Sequence, residues 1–193
     1  DRFAHKAIEK GADGLIPVAA GAGGHAGTTS PFALMQEIRE WFDGPVALSG
    51  SIAHGQSILA AQAMGADFAY IGSAFIATKE ANAVQGYKEN IVEAKASDIV
   101  YSSLFTGVHG NYLRQSIVKA GMDPDNLPEG DISTMNFGSG GNTEAKAWKD
   151  IWGSGQGIGA VKEVQSVADM VGRLEAEYRA AKARLDGAYR KGW

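Results

Sequence analysis

Gly14-Leu-Ile-Pro-Val-Ala-Ala20, followed directly by Gly21-Ala-Gly-Gly-His-Ala-Gly27, is the stretch that decides the fold class of this chain. Its first half is a continuous apolar run, which predicts a strand buried on both faces, as in parallel sheets. Its second half sets four glycines around one histidine. Because glycine loses the most backbone freedom on folding, such a loop indicates a place where a ligand approaches the backbone closely. His25 lies within reach of that ligand, and histidine is the side-chain type that changes charge near neutral pH.

Two further strands follow the same pattern. Val46-Ala-Leu48 predicts a second buried strand, which ends in Ser49-Gly50-Ser51. Phe68-Ala-Tyr-Ile71 predicts a third strand, which ends in Gly72-Ser73. In parallel α/β folds, the carboxyl ends of the strands are where ligands bind. The glycines and serines at these ends therefore join the 21–27 loop as candidate binding residues.

Helical segments separate and follow the predicted strands. The triplet Gly-Ala-Asp stands at 11–13 and again at 65–67, each time between a helix end and a strand start, as in repeated βα units. Residues 121–143, rich in Gly, Pro, Asp, Asn and Ser, predict a long loop. The predicted helices cover residues 2–10, 31–42, 54–64, 84–96, 112–120 and 160–188. The last of them carries an apolar stripe made of Val161, Val164, Val171, Leu174, Tyr178 and Leu185.

Composition narrows the class of protein. The net charge of the 193 residues is −4, and no basic cluster is longer than Arg190-Lys191, which argues against nucleic-acid binding. Cysteine is absent, so disulfides and thiolate metal sites are excluded, in keeping with a cytoplasmic location. No apolar run approaches ~20 residues, so no membrane span is predicted, and no His/Asp/Glu set has metal-ligand spacing. The start at Asp1, without Met or a signal peptide, leads us to expect that the chain begins inside a larger protein.

The glycine-rich loop has two interpretations from the residues alone. Gly21-x-Gly23-x-x-Ala26 fits the loose dinucleotide-binding fingerprint. However, the following helix begins only at Pro31, and Asp43 stands before the second strand, where the fingerprint requires an acid at the strand's end. The alternative is part of a (β/α) barrel, in which Ser49-Gly50-Ser51 and Gly72-Ser73 supply backbone N–H groups to a phosphate.

Four motifs in order give this chain a resemblance to a known family. They are Gly23-Gly-His-Ala-Gly27, Pro45-Val-Ala-Leu-Ser-Gly-Ser-Ile52, Gly65-Ala-Asp-Phe-Ala-Tyr-Ile-Gly-Ser-Ala-Phe-Ile-Ala-Thr78 and Trp152-Gly-Ser-Gly-Gln-Gly157. Together they resemble the carboxyl-terminal portion of the nitronate monooxygenases, also called 2-nitropropane dioxygenases. The resemblance covers nearly the whole chain.

The family's architecture implies an α/β fold with three parts. Residues 1–80 are expected to form the last strands of an FMN-binding TIM (β/α)8 barrel, with the rest of the barrel N-terminal to this chain. Residues 81–150 are expected to form a smaller, mostly helical lid or substrate domain. Residues 151–193 are expected to supply a glycine-rich loop at the flavin and a C-terminal helix that packs back on the barrel. A homodimer is compatible with this arrangement.

The resemblance also implies residue roles. His25 matches the family's catalytic histidine. The other matches are expected to bind FMN: Gly23 and Gly24 beside the flavin, Ser49 and Gly50 at the end of the second strand, Gly72 and Ser73 at the phosphate, and Gln156 in the late glycine-rich motif.

The function implied is an FMN-dependent nitronate monooxygenase. Such an enzyme converts alkyl nitronates, and nitroalkanes through them, to carbonyl compounds and nitrite with O2. A neutral imidazole at His25 would take the α-proton of the nitroalkane. Two alternatives stay open: an NAD(P)H-dependent FMN reductase of the same family, acting on a quinone or an enoyl thioester, and a flavin- or phosphate-binding module in which His25 is only structural.

Overall fold

A computed structural model describes residues 2–130 and 150–190 of the chain. Its elements alternate between helix and strand in the first half, which confirms the α/β prediction. The strands are β1 (Gly24–His25), β2 (Ala47–Ser49), β3 (Phe68–Tyr70), β4 (Ile99–Ser102) and β5 (Gly110–Leu113). The α-helices are α1 (Arg2–Glu9), α2 (Pro31–Arg39), α3 (Gly55–Ala63), α4 (Ser73–Ile76), α5 (Gln85–Glu93), α6 (Arg114–Lys119) and α7 (Val167–Arg190).

Three parallel segments form the first sheet. Strand β2 pairs in parallel with β3, with Leu48 opposite Ala69. On its other side β2 pairs in parallel with the segment 15–19, through bridges that include Val18 and Ser49. That segment forms isolated bridges instead of a continuous strand because Pro17, in the middle of the ladder, has no N–H to donate. The ladder resumes beyond it, where the Ala19 N–H donates to the Ser49 carbonyl at 2.9 Å.

The two faces of this sheet have different surroundings. Helices α1, α2 and α3 cover one face, where Leu15, Ala19, Val46 and Leu48 are buried together with Met35, Ile38 and Ala61. The other face carries exposed apolar side chains: Ile16 (55% exposed), Val18 (43%), Phe68 (65%) and Tyr70 (54%). The prediction that 14–20 is buried on both faces is therefore wrong for the described residues, because helices pack on one side of the sheet only.

Local capping explains where the helices of the first half begin. The Ser30 hydroxyl accepts the Ala33 N–H at 3.3 Å, and Pro31 occupies the first turn of α2. His54 caps α3, since its Nδ1 accepts the Gln56 N–H at 3.2 Å. These starts agree with the helices predicted from 31 and 54.

A second, antiparallel sheet has the strand order β1-β5-β4. His25 lies opposite Gly110, so part of the loop expected at 21–27 is in fact a short strand. The helix predicted over 112–120 begins only at Arg114, because Tyr112 and Leu113 belong to β5. Residues 81–130 thus contain two strands as well as two helices.

The C-terminal helix begins later than predicted. A 3-10 turn covers Gln156–Ala160, and Gln165 then pairs with Thr78 before α7 starts at Val167 instead of at 160. Its buried side chains are Met170, Leu174 and Ala181, whereas Val171 and Leu185 of the predicted stripe are exposed. Residues 121–130 contain neither helix nor strand, as predicted, and the rest of that predicted loop, 131–143, lies outside the described residues. Among the described helices, none has the length and apolar character needed to cross a membrane.

Candidate functional site

The carboxyl ends of the three parallel segments meet at one cavity of about 380 Å³. Three pieces of chain that follow these segments form its walls, and a late glycine-rich piece closes it. The cavity therefore lies at the edge of the sheet where ligands bind in parallel α/β folds. Its lining residues include six of the eight predicted site residues: Gly23, Gly24, Ser49, Gly50, Gly72 and Ser73.

The backbone after β2 has an uncommon conformation at this edge. Gly50 has φ +133°, and a Cβ added there would lie 3.1 Å from the carbonyl oxygens of Ala19 and Ala20. Ser51 follows with φ +56°, the only positive φ at a non-glycine position within the described residues. Strained backbone of this kind clusters at ligand-binding sites. The residues from Ser49 to Ala53, which include this turn, all line the cavity.

The late glycine-rich piece packs against the early one, backbone to backbone. The Gln156 N–H donates to the Gly21 carbonyl at 2.8 Å, and the Gly155 N–H donates to the Ser73 hydroxyl at 2.9 Å. A Cβ added at Gly23 would lie 2.8 Å from the Gly155 nitrogen. Gln156 is not among the residues that line the cavity. Its backbone instead joins the two loops.

Asn111, which sequence reasoning missed, ties both glycine loops to the second sheet. Its side-chain Nδ2 donates to the Ala22 carbonyl at 2.6 Å, and its backbone carbonyl accepts the Ser154 N–H at 3.0 Å. The side chain is buried. The sequence offers one sign of this role: Asn111 is a polar residue that directly precedes the apolar residues Tyr112 and Leu113.

His25 stands beside the cavity and is not among its lining residues, although the preceding Gly24 is. The backbone is held by pairing with Gly110 and by the Ala26 N–H, which donates to the His109 carbonyl at 3.2 Å. The imidazole Nε2 lies 2.7 Å from the hydroxyl of Thr106, a second residue that sequence reasoning did not select. His25 as a whole residue is exposed, while its contact with Thr106 is partly buried.

A partly buried tyrosine, Tyr87, supports the late loop. The Tyr87 hydroxyl donates to the Gly153 carbonyl, and its ring stacks on Trp152 with a centroid separation of 5.0 Å. Burial raises the pKa of Tyr87 to about 12, so the phenol keeps its proton and remains a donor. Trp152 is itself partly buried against the hydrophobic core.

Open space beside two of its glycines shows that the cavity has room. A Cβ added at Gly24 or Gly72 would meet nothing within 4 Å. Within residues 2–130 and 150–190, the hydroxyl of the fully buried Ser154 has no hydrogen-bond partner. Ser154 is not among the residues that line the cavity, although its neighbours Gly153 and Gly155 are. No group of three or more His, Cys, Asp or Glu residues in the described part could hold a metal ion.

Comparisons with known proteins agree with this arrangement. Nitronate monooxygenase of Paraburkholderia phytofirmans is 27% identical, over 91% of this chain and 51% of that protein. A putative monooxygenase of Mycobacterium tuberculosis, Rv1533, is 32% identical over 58% of this chain and 30% of its own length. The chain thus spans about half the length, or less, of the curated relatives it matches.

Solved structures show the same fold. Nitroalkane oxidase from Streptomyces ansochromogenes has a TM-score of 0.75 at 26% identity, over 95% of this chain and 56% of that one. FabK from Thermotoga maritima has a TM-score of 0.72 at 23% identity, over 97% of this chain and 61% of that one, and shows the fold alone. The family described as nitronate monooxygenase matches residues 2–177. This chain therefore belongs to the nitronate monooxygenase family.

Proposed function

We propose that this chain carries the phosphate-binding end and the catalytic histidine of an FMN-dependent enzyme. The enzyme oxidises alkyl nitronates, and nitroalkanes by way of their nitronates, to carbonyl compounds and nitrite with O2. One observation carries the proposal: the glycine-rich ends of three parallel segments meet in a single cavity, and His25 directly adjoins it. The relative named nitronate monooxygenase and the fold neighbour named nitroalkane oxidase support the reaction class.

The residues present fit FMN. Ser49, Gly50, Gly72 and Ser73 would hold the phosphate, and the Ser73 hydroxyl, which already accepts the Gly155 N–H, keeps its own proton to donate to a phosphate oxygen. Open space at Gly24 and Gly72 leaves room for the nucleotide. Gly23 and Gly24 would lie beside the flavin ring. When bound, FMN supplies the electron acceptor, which no side chain of this protein can replace.

Gln156 has a different place in this proposal from the one that the family resemblance implies. Its N–H is already donated to the Gly21 carbonyl, and the residue does not line the cavity. We therefore assign Gln156 to joining the loops, so that the wall of the flavin site keeps its shape.

His25 acts as the general base. It removes the α-proton of a neutral nitroalkane and so delivers the nitronate that is then oxidised. General base catalysis of this kind contributes roughly 10²–10⁴ to the rate. The exposed His25 on β1 can meet a substrate that enters beside Gly24.

The test is the variant His25→Asn in the full-length protein. We expect the rate on neutral nitroethane to fall by roughly 10²–10⁴, because the base is lost. Activity on the preformed nitronate and the content of bound FMN should stay close to those of the wild type. Full activity of the variant on the neutral substrate would rule out this role.

A second experiment separates the oxygenase from a reductase. Anaerobic mixing with ethyl nitronate should bleach the flavin, and mixing with NADH or NADPH should not. Bleaching by a pyridine nucleotide alone would instead identify a reductase of the same family. Normal FMN binding with no reaction towards either class of reductant would identify a binding module.

The exposed sheet face supports the proposed domain organisation. Ile16, Val18, Phe68 and Tyr70 form an apolar surface that further strands of a TIM barrel would cover, and the curated relatives are about twice as long as this chain. In this proposal residues 1–80 supply the last barrel strands, 81–150 a smaller domain over the substrate, and 151–193 the flavin-side loop with its helix.

A further inference from the structure

The Thr106 hydroxyl accepts the Val108 N–H at 3.4 Å, and two further polar atoms compete for its single proton. Its Oγ1 lies 2.8 Å from the Val108 carbonyl oxygen and 2.7 Å from His25 Nε2. A carbonyl oxygen carries no proton, so the hydroxyl must donate in the first contact. Having one proton only, it must accept in the second. His25 Nε2 therefore carries a hydrogen.

We propose that Thr106 is a positioning residue that fixes His25 in the Nε2–H tautomer. In that tautomer Nδ1 carries the lone pair, so Nδ1 is the atom that accepts the α-proton of the nitroalkane. This inference rests on the proposed role of His25 as a base. It goes further by naming the basic atom and the residue that selects it.

The hydroxyl is held in place by its surroundings. Thr106 is 1% exposed and lies in a turn in which the Gly107 N–H donates to the Ser103 carbonyl at 2.7 Å. On the other side, pairing with Gly110 holds the His25 backbone. Neither partner has to move when the imidazole takes up a proton, because Nε2–H is a donor both before and after.

The same contact favours proton uptake by the ring. Hydrogen bonds from a charged donor are shorter and about twice as strong as neutral ones. The Nε2–H bond to Thr106 therefore strengthens as the imidazolium forms. An interaction that strengthens towards the transition state raises the rate of proton transfer.

The direct test is the tautomer itself, measured with ¹⁵N-labelled histidine in the full-length protein by long-range ¹H–¹⁵N correlation. The His25 signals are assigned by their loss in His25→Asn. We expect the Nε2–H pattern in the wild type and in Thr106→Ser. In Thr106→Val the two ring nitrogen shifts should move towards each other, as in a tautomer mixture. An Nδ1–H pattern in the wild type, or an unchanged pattern in Thr106→Val, would overturn the proposal.

Steady-state kinetics on the two substrates test the proposal independently of the tautomer measurement. In Thr106→Val, kcat/KM for neutral nitroethane should fall about tenfold, the effect of one hydrogen bond, while kcat/KM for ethyl nitronate stays unchanged. Thr106→Ser should restore the neutral reaction. Thr78→Val is the matched control, because Thr78 is equally buried and its hydroxyl donates to the Phe75 carbonyl at 2.7 Å, away from His25. A changed tautomer with unchanged kinetics on nitroethane would contradict the base role of His25 and leave the tautomer assignment standing.

Discussion

Glycines border the cavity in two opposite ways. At Gly23 and Gly155 the added Cβ would lie 2.6–2.8 Å from backbone atoms of the facing loop, so these positions let two chain segments pack closely. At Gly24 and Gly72 the added Cβ would meet nothing within 4 Å. Similar glycine-rich motifs thus serve two purposes: one set of glycines shapes the wall of the cavity, and the other leaves space inside it.

The largest effect should come from filling a close-packed position. In Gly155→Ala, the new Cβ would lie 2.6 Å from the Gly21 carbonyl oxygen, a backbone atom that cannot move aside alone. We expect the loops to separate, and the free energy of unfolding to fall by about 1–3 kcal/mol. FMN binding should weaken as well, because the separated loops no longer form the wall of the cavity. Urea unfolding of the full-length protein and fluorescence titration with FMN measure the two quantities. Wild-type stability in this variant would contradict the backbone-to-backbone contact.

Gly72→Ala is the complementary variant, because the position is open and its φ is an ordinary one. The free energy of unfolding should stay within about 0.5 kcal/mol of the wild type. The dissociation constant of FMN should rise about tenfold or more, since a methyl group now occupies ligand space and each tenfold change costs about 1.4 kcal/mol. Unchanged FMN affinity would show that the nucleotide lies elsewhere.

Gly55, at the start of α3, is another glycine that lets two chain segments pack closely, and it lies away from the cavity. A Cβ there would lie 2.2 Å from the Tyr178 nitrogen of α7. The carboxylate of Glu177, also on α7, accepts the Gly55 N–H at 2.9 Å and pairs with Arg173 at 2.6 Å. Burial alone raises the pKa of Glu177, but the bonds from Gly55 and Arg173 outweigh it and leave the pKa below its usual value of 4.5. An ionised carboxylate therefore contributes to the contact between α3 and α7.

The smallest effect should come from Glu177→Gln, which keeps the shape of the side chain and removes its charge. We expect a loss of about 1 kcal/mol in the free energy of unfolding at pH 7. A carboxyl group whose pKa is lowered by folding stabilises the protein above its unfolded-state pKa, and this contribution is lost as the pH falls through the folded-state value. The wild-type advantage should thus be complete near pH 6 and vanish in strong acid. Urea unfolding across this range measures it, and an advantage that persists at low pH would contradict the ionic contact.

What the sequence predicted correctly depended on local signals. The apolar run at 46–48 with its Ser-Gly end, the cap at Ser30 and the repeated Gly-Ala-Asp turns each act within a few residues. These signals were enough to place β2, β3 and α2, and to bring Ser49, Gly50, Gly72 and Ser73 to one edge.

What it could not predict depends on contacts between distant residues. The pairing of His25 with Gly110, and the bonds of Thr106 and Asn111 to the glycine-rich segment, join residues more than 80 positions apart. No period or motif encodes such pairs. The late start of α7 is of the same kind, because Gln165 pairs with Thr78 just before the helix begins.

The bond from Gln156 to Gly21 has a consequence for the timing of assembly. A growing polypeptide reaches Gly21 early on the ribosome, but the wall that this glycine shares with Gly155 exists only once the chain has been made past residue 157. In the proposed FMN site, the complete cavity is therefore available to the cofactor only after this last wall has been synthesised. Nascent chains halted before Trp152 would lack the wall formed by Gly153, Gly155 and Gly157.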